Sequence, residues 1–173
     1  MFHVGTNDID RMMRHNADID RQYQRTGQSL RTKITVSQIA QSYKQLIHIT
    51  RQRNSNCKIL CSAILPRLKD YQQSEPLIKE FNSMIQQYCC KTKSVIFLPS
   101  YKWLCYYGKP VAGYYAVRDG LHLSDAGTAR LMQSFQQALS DVNLARELHW
   151  RRKPASTSTA PQRSSPTWRV GST

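Results

Sequence analysis

Two short, nearly continuous apolar runs, Lys58-Ile59-Leu60-Cys61-Ser62-Ala63-Ile64 and Ser94-Val95-Ile96-Phe97-Leu98, constrain this chain more than any other feature. Runs of that length without polar alternation have the pattern of strands covered on both faces. Between them, Ser74, Glu75 and Pro76 open a helix whose inner face is Leu77, Phe81, Met84, Ile85 and Tyr88. Ahead of the first run, Thr35 and Gln38 have capping-box spacing and Ile34 and Ile39 are placed for a hydrophobic staple. Val36, Ile39, Ala40, Tyr43, Leu46 and Ile47 then share one face, which predicts a helix to about Arg53. Asn54-Ser55-Asn56 reads as a turn, and Leu65-Pro66 ends the first run. Phe2-His3-Val4 is β-prone and stops at Gly5, as a strand does when it enters a turn. Strand, helix, strand, helix, strand implies right-handed crossovers and a parallel sheet with helices on both sides, an α/β fold in three layers.

The remaining segments are less regular. Ile9 to Lys33 is dense in Arg, Asp, Gln and Asn, and reads as a mobile, mainly basic loop or as a short helix on Ile9, Met12 and Met13 followed by one. Pro99 to Val117 gathers Tyr101, Trp103, Tyr106, Tyr107, Tyr114 and Tyr115, with Gly108, Pro110 and Gly113 interrupting any long element, so a loop with high apolar content is expected. Ser124 caps a last helix with Leu131, Met132, Phe135, Ala138 and Leu139 inside. From Trp150 the Ser, Thr, Pro and Arg content indicates disorder. The expected organisation is one domain over residues 1–145 and a basic tail over residues 146–173.

The chain of 173 residues carries 25 Lys and Arg against 11 Asp and Glu, a formal charge of +14, so attraction to polyanions is expected whatever the fold. The bases are spread along the chain, and Arg151, Arg152, Lys153, Arg163 and Arg169 sit in the tail. RNA or DNA is therefore a candidate partner, through the basic surface and tail or through the tyrosine-rich segment beside Lys102 and Lys109. A hydrophobic lid accounts for the same tyrosines. Cys57, Cys61, Cys89, Cys90 and Cys105 are odd in number and lack a ligand-spacing motif, which favours free thiols over a disulfide framework or a metal site. No metal or cofactor is expected. Free thiols and the lack of a secretory layout in the first residues favour the cytoplasm or nucleus, and no run is long enough for a membrane span.

Two constellations carry chemistry. Gly5-Thr6-Asn7-Asp8 follows the Phe2-Val4 run, where ligands of open α/β sheets bind. An asparagine amide there can meet a developing oxyanion, while an Asx-type turn explains the same residues structurally. In Arg118-Asp119-Gly120-Leu121-His122-Leu123-Ser124, the glycine lets Asp119 turn back on the His122 ring and leave its other nitrogen free as a base. A pre-helix turn is the plainer alternative.

The combination is more specific than either part. His3-Val4-Gly5-Thr6-Asn7-Asp8-Ile9 resembles the third conserved block of SGNH/GDSL hydrolases. Arg118 to Gly127 resembles their fifth, and Lys58 to Arg67 is similar to the segment between. The likeness runs from Phe2 to about Leu139, in particular to the stand-alone or retroelement-embedded SGNH domains of animal genomes. It implies the flavodoxin-like α/β/α SGNH hydrolase fold acting on ester or acetyl groups, with Asn7 donating to the oxyanion, His122 as general base and Asp119 positioning it. The family's nucleophile lies in a Gly-Asp-Ser block on a first strand, and a further oxyanion glycine follows the second; neither block is in this sequence. Ser62, Ser100 and Ser124 lack a nucleophile-type turn, and Ser124 is explained as a cap. The expectation is an SGNH fold incomplete at its N-terminus, esterase-like but without its nucleophile. The alternative is a catalytically dead fold kept as a nucleic-acid-binding or protein-interaction module. Phe2 to Val4 would then be an open sheet edge that a partner or missing strands complete.

Overall fold

The computed structural model describes residues 1–152, and its first helix is the largest departure from the sequence pattern. In place of a mobile loop, or a short helix followed by one, Thr6–Thr26 forms one long helix, α1. Ile9, Met12 and Ile19 are its buried residues, set on one face of a helix whose mean hydropathy is too low for the segment to stand out as apolar. Asn16 supplies the rest of the anchor, its side chain bonding both the N–H (2.9 Å) and the C=O (2.8 Å) of Ile34. The outward face is charged and self-paired: Arg14 with Asp10, Arg21 with Asp18, and Lys33 reaching Asp20. A polar, charge-rich helix of this kind looks like a loop to a reading that weighs composition above spacing.

Helix α2, Val36–Arg53, follows the predicted bounds, and the Thr35–Gln38 capping box is formed from both sides. Strand β1 is Ile59–Ser62, helix α3 Tyr71–Lys91 and strand β2 Val95–Leu98. The strands pair in parallel, Ile59 opposite Val95 and Ser62 opposite Leu98. Helix α3 starts a turn earlier than Ser74-Glu75-Pro76 suggests. The Asp70 carbonyl takes the first helical N–H groups, and the buried Ser74 hydroxyl donates to that carbonyl (3.0 Å), so Pro76 lies inside the helix. The inner face is correspondingly rotated to Ser74, Ile78, Phe81, Ile85 and Cys89; Leu77, Met84 and Tyr88 flank it.

The expected strand at Phe2–Val4 is reduced to one parallel bridge, in which the Phe2 N–H donates to Leu60 (2.8 Å) and its carbonyl accepts from Ser62 (2.9 Å). The hydrogen-bonded order is thus Phe2, β1, β2. Side chains alternate across a strand. Ile59 and Cys61 join the cluster built by α1, α2 and α3, while Leu60 and Ser62 point to the opposite side.

The segment after β2 is more ordered than a loop. A 3-10 turn Ser100–Leu104 leads into the strands β3, Cys105–Tyr106, and β4, Lys109–Pro110, and then a second 3-10 turn, Ala112–Tyr114. Helix α4 is Asp125–Arg152, and the Ser124 hydroxyl caps it by accepting from Gly127 N–H at 3.2 Å. Among its residues of described burial, Gly127, Leu131, Ser134 and Phe135 are buried; Met132 and Leu139, expected inside, are exposed, because positions one turn apart on a single narrow stripe meet the protein. Met1–Leu139 forms a compact unit. Helix α4 takes in residues 146–152, the first part of the expected tail; the remainder, with Lys153, Arg163 and Arg169, lies outside the described residues.

Candidate active site

The loop before α4 folds back on itself. Asp119 and Gly120 donate their N–H groups to Ala116 O (3.2 and 2.9 Å), and Ala116 N–H donates to His122 O (2.8 Å). In this tight frame one oxygen of Asp119 accepts the backbone N–H groups of Leu121 and His122, both at 2.9 Å. The other lies 2.7 Å from His122 Nδ1. The Leu121 N–H first, then the His122 ring and the His122 N–H, hold the Asp119 carboxyl well below the usual carboxylate range. A carboxylate at Nδ1 selects the tautomer with its proton there, which leaves the Nε2 lone pair available. The His122 side chain is 68% exposed, so an incoming hydroxyl has access to the ring.

This loop is mounted on Pro66–Asp70, the segment just beyond β1. Leu68 and Lys69 both donate to Gly120 O (3.0 and 3.1 Å), and the Tyr115 hydroxyl donates to Pro66 O (2.8 Å). Gly120 has φ +59°, and a Cβ there would stand 3.1 Å from Lys69 N, so a side chain would be strained and tightly placed. Arg67 occupies the centre of the segment and is 2% exposed. Its Nη2 donates to Asp10 on α1 (3.0 Å) and to Asp70 at the start of α3 (2.6 Å). Arg67, chiefly through that hydrogen bond and with Arg14 adding, holds the Asp10 carboxyl below its ordinary value against the opposing effect of burial. One buried guanidinium therefore ties the start of α1 to the start of α3, on the same segment whose backbone holds the Asp119–His122 loop. Sequence reasoning missed Arg67, Asp10 and Asp70 as a group; nothing near them in the chain distinguishes a buried arginine from a surface one.

Asn7 lies in the first turn of α1, one turn before Asp10. Gly5 makes that position possible: its φ is +116°, its carbonyl accepts from Asp8 and Ile9, and a Cβ would meet Ile64 at 2.5 Å. The Asn7 side chain is exposed and makes no hydrogen bond to Asp119 or His122. The structure thus joins Asp119 to His122 directly and leaves Asn7 apart, on a helix whose Asp10 is held by Arg67 of their mount.

The three candidate serines have other partners. Ser62 and Ser100 are buried, with the Ser62 hydroxyl between Ser100 Oγ (3.1 Å), Ala63 O (3.2 Å) and His3 Nδ1 (2.9 Å). Burial pushes the His3 ring down from its ordinary pKa. Ser124 donates to Gly113 O at 2.7 Å. None is hydrogen-bonded to His122.

The family model for GDSL-like lipases and acylhydrolases matches residues 1–130. The chain belongs to that GDSL-like family. Its similarity to solved structures agrees with the α/β architecture. One is described as a provisional platelet activating factor from Streptococcus pneumonia, with 26% identity and a TM-score of 0.55 over 61% of this chain and 52% of that one. Another is the esterase domain of the ZfL2-1 ORF1 protein from the zebrafish ZfL2-1 retrotransposon, with 19% identity, a TM-score of 0.53, and 80% and 66% of the two chains covered. At that identity the second likeness speaks for the fold alone. The chain spans about half the length of the first structure and about two thirds of the second. No curated protein matches.

For a GDSL-like acylhydrolase domain this one is mostly helical around a short parallel sheet. Among the described residues no three His, Cys, Asp or Glu side chains are grouped to hold a metal ion, and no helix is long and apolar enough to cross a membrane. All five cysteines are free.

Proposed function

We propose that this chain carries the base-bearing half of a serine-type ester hydrolysis site for acyl or acetyl esters, and that it turns over no ester unaided. The observation that supports the reading is the 2.7 Å contact of Asp119 with His122 Nδ1 in a loop whose histidine remains open to solvent. In that role His122 Nε2 takes the proton of an attacking serine hydroxyl while its oxygen bonds to the ester carbonyl carbon. The same nitrogen returns the proton to the departing alkoxide. Asp119 keeps the ring oriented and balances the imidazolium. Asn7, with its amide free of other partners, donates to the oxyanion, a contribution of roughly 3 to 4 kcal/mol where such donors are well placed. A base without a nucleophile forms no acyl-enzyme.

The test has two arms. A fluorophosphonate probe is expected to label none of Ser62, Ser100 and Ser124 in the purified chain, with aryl acetate hydrolysis at background. A longer form with a Gly-Asp-Ser segment ahead of Met1 is expected to hydrolyse the ester and to lose that activity on His122→Ala. Labelling of a serine in the chain alone, dependent on His122, refutes the incomplete-site reading. Activity of the longer form that survives His122→Ala refutes the role of the base.

A further inference from the structure

The β3–β4 hairpin pairs Tyr106 with Lys109 through a two-residue turn, Tyr107-Gly108. Both turn residues have positive φ, 47° and 77°, the geometry of a type I′ turn. Asparagine is the favoured first residue of such turns because it tolerates the left-handed region; an aromatic residue there is strained. The strain returns nothing to the fold, since Tyr107 is 90% exposed and Tyr106 is 69% exposed. The two rings meet edge to face at 4.4 Å and present their outer surfaces to solvent. The sequence pattern allows these tyrosines to be a lid over apolar residues, and the structure instead holds them outward.

The tip is also rigidly mounted. The Tyr71 hydroxyl at the start of α3, shared with Glu75, lies 2.9 Å from Gly108 O, and Val111 N–H donates to the carbonyl of the fully buried Leu104 (3.0 Å). Residues 100–118 contain Lys102, Lys109 and Arg118 and no acidic residue, on a chain of net charge +14. Lys102 and Lys109 are exposed and have no ion-pair partner among the described residues. The nearest acid on the mount, Glu75, is held by Lys79 and by Tyr71. Strain kept at an exposed position, paired aromatic faces and unneutralised lysines suit one class of ligand.

We infer that this hairpin tip is a stacking platform for single-stranded nucleic acid, with unpaired bases on Tyr106 and Tyr107 and phosphates on Lys102 and Lys109. Single strands offer open π-faces to aromatic side chains, which duplexes bury. A lipid surface fits less well, because the tip itself carries Gly108, Lys109 and Pro110 beside its tyrosines and no aliphatic residue to enter a bilayer. The inference does not depend on ester hydrolysis by this chain.

The experiment is fluorescence anisotropy of a labelled oligouridine with the full chain across a salt series. Tyr106→Ala with Tyr107→Ala is expected to weaken binding roughly ten- to hundredfold, the loss of stacking for one or two bases. Lys102→Gln with Lys109→Gln should lower the slope of log affinity on log salt by about 1.4, two phosphate contacts at ~0.7 each. Tyr107→Asn guards against misfolding as an explanation: it suits the turn, so its melting temperature should equal or exceed that of the parent while binding still weakens at least severalfold. Three results would overturn the inference: no binding by the parent chain, tyrosine variants that bind as the parent does, or tyrosine-dependent binding to phosphatidylserine vesicles without binding to RNA.

Discussion

Replacing Arg67 with methionine removes a guanidinium that is 2% exposed and holds Asp10 (3.0 Å) and Asp70 (2.6 Å) at once. Breaking a buried ion pair from one side destabilises by about 3 to 5 kcal/mol, most of it from the partner left behind. Two details place this case at the lower end. The Asp10 side chain is 31% exposed and keeps Arg14, so it regains water and one cation. Two nitrogens of Arg67, Nε and Nη1, have no partner in the native fold, a penalty that methionine relieves. We expect a loss of about 3 kcal/mol, a fall of roughly 6 to 12 °C in melting temperature for a domain of this size. Circular dichroism melts at neutral and acid pH measure it. The folded Asp10 carboxyl titrates below its ordinary value chiefly because of Arg67. Its stabilising contribution is therefore complete above the unfolded carboxylate pKa of about 3.9 and is lost as pH falls through the lower folded value. The gap between parent and variant should accordingly narrow below about pH 4. A difference under about 1 kcal/mol at neutral pH, or one unchanged in acid, would show that Arg67 is not the tie between α1 and α3.

Gly120→Ala places a methyl group 3.1 Å from Lys69 N at a φ of +59°, and should destabilise by about 1 to 2 kcal/mol while loosening the Asp119–His122 loop. Equal melting temperatures, with unchanged exchange of the Leu68 and Lys69 amides, would contradict the docking of that loop. His3 has the opposite sensitivity to a salt-bridged cation: burial lowers its folded pKa, so its neutral form is favoured in the fold. Stability from this group is full above the unfolded value of about 6.5 and is lost as pH falls through the folded one. A melting temperature that declines on mild acidification should become flatter over that range in His3→Gln, and an identical decline in both proteins would remove His3 as the cause.

The buried helix and strands around β1 were readable because their signals are local. The Thr35–Gln38 box needs only four residues, and a continuous apolar run such as Ile59–Ser62 has few stable fates other than a covered strand. Asp119 and His122 were readable for the same reason, being three residues apart with a glycine between. Helix α1 was not, because it is held by three buried residues and by Asn16 bonding to Ile34, a contact across 18 positions. The start of α3 was misplaced because its first turn is stabilised by Asp70 and by the buried Ser74 rather than by apolar spacing.

What the sequence determined alone, then, was the alternation of elements, the parallel α/β class and the short motifs whose atoms meet through a single turn of backbone. Tertiary structure decided everything that depends on groups far apart in the chain. It buried Arg67 between two aspartates from different helices, committed Ser62 and Ser100 to His3 and to each other, and turned Tyr106 and Tyr107 outward on a strained hairpin. Burial and partner choice are properties of the packed chain, and residue types so separated carry no local pattern from which they can be read.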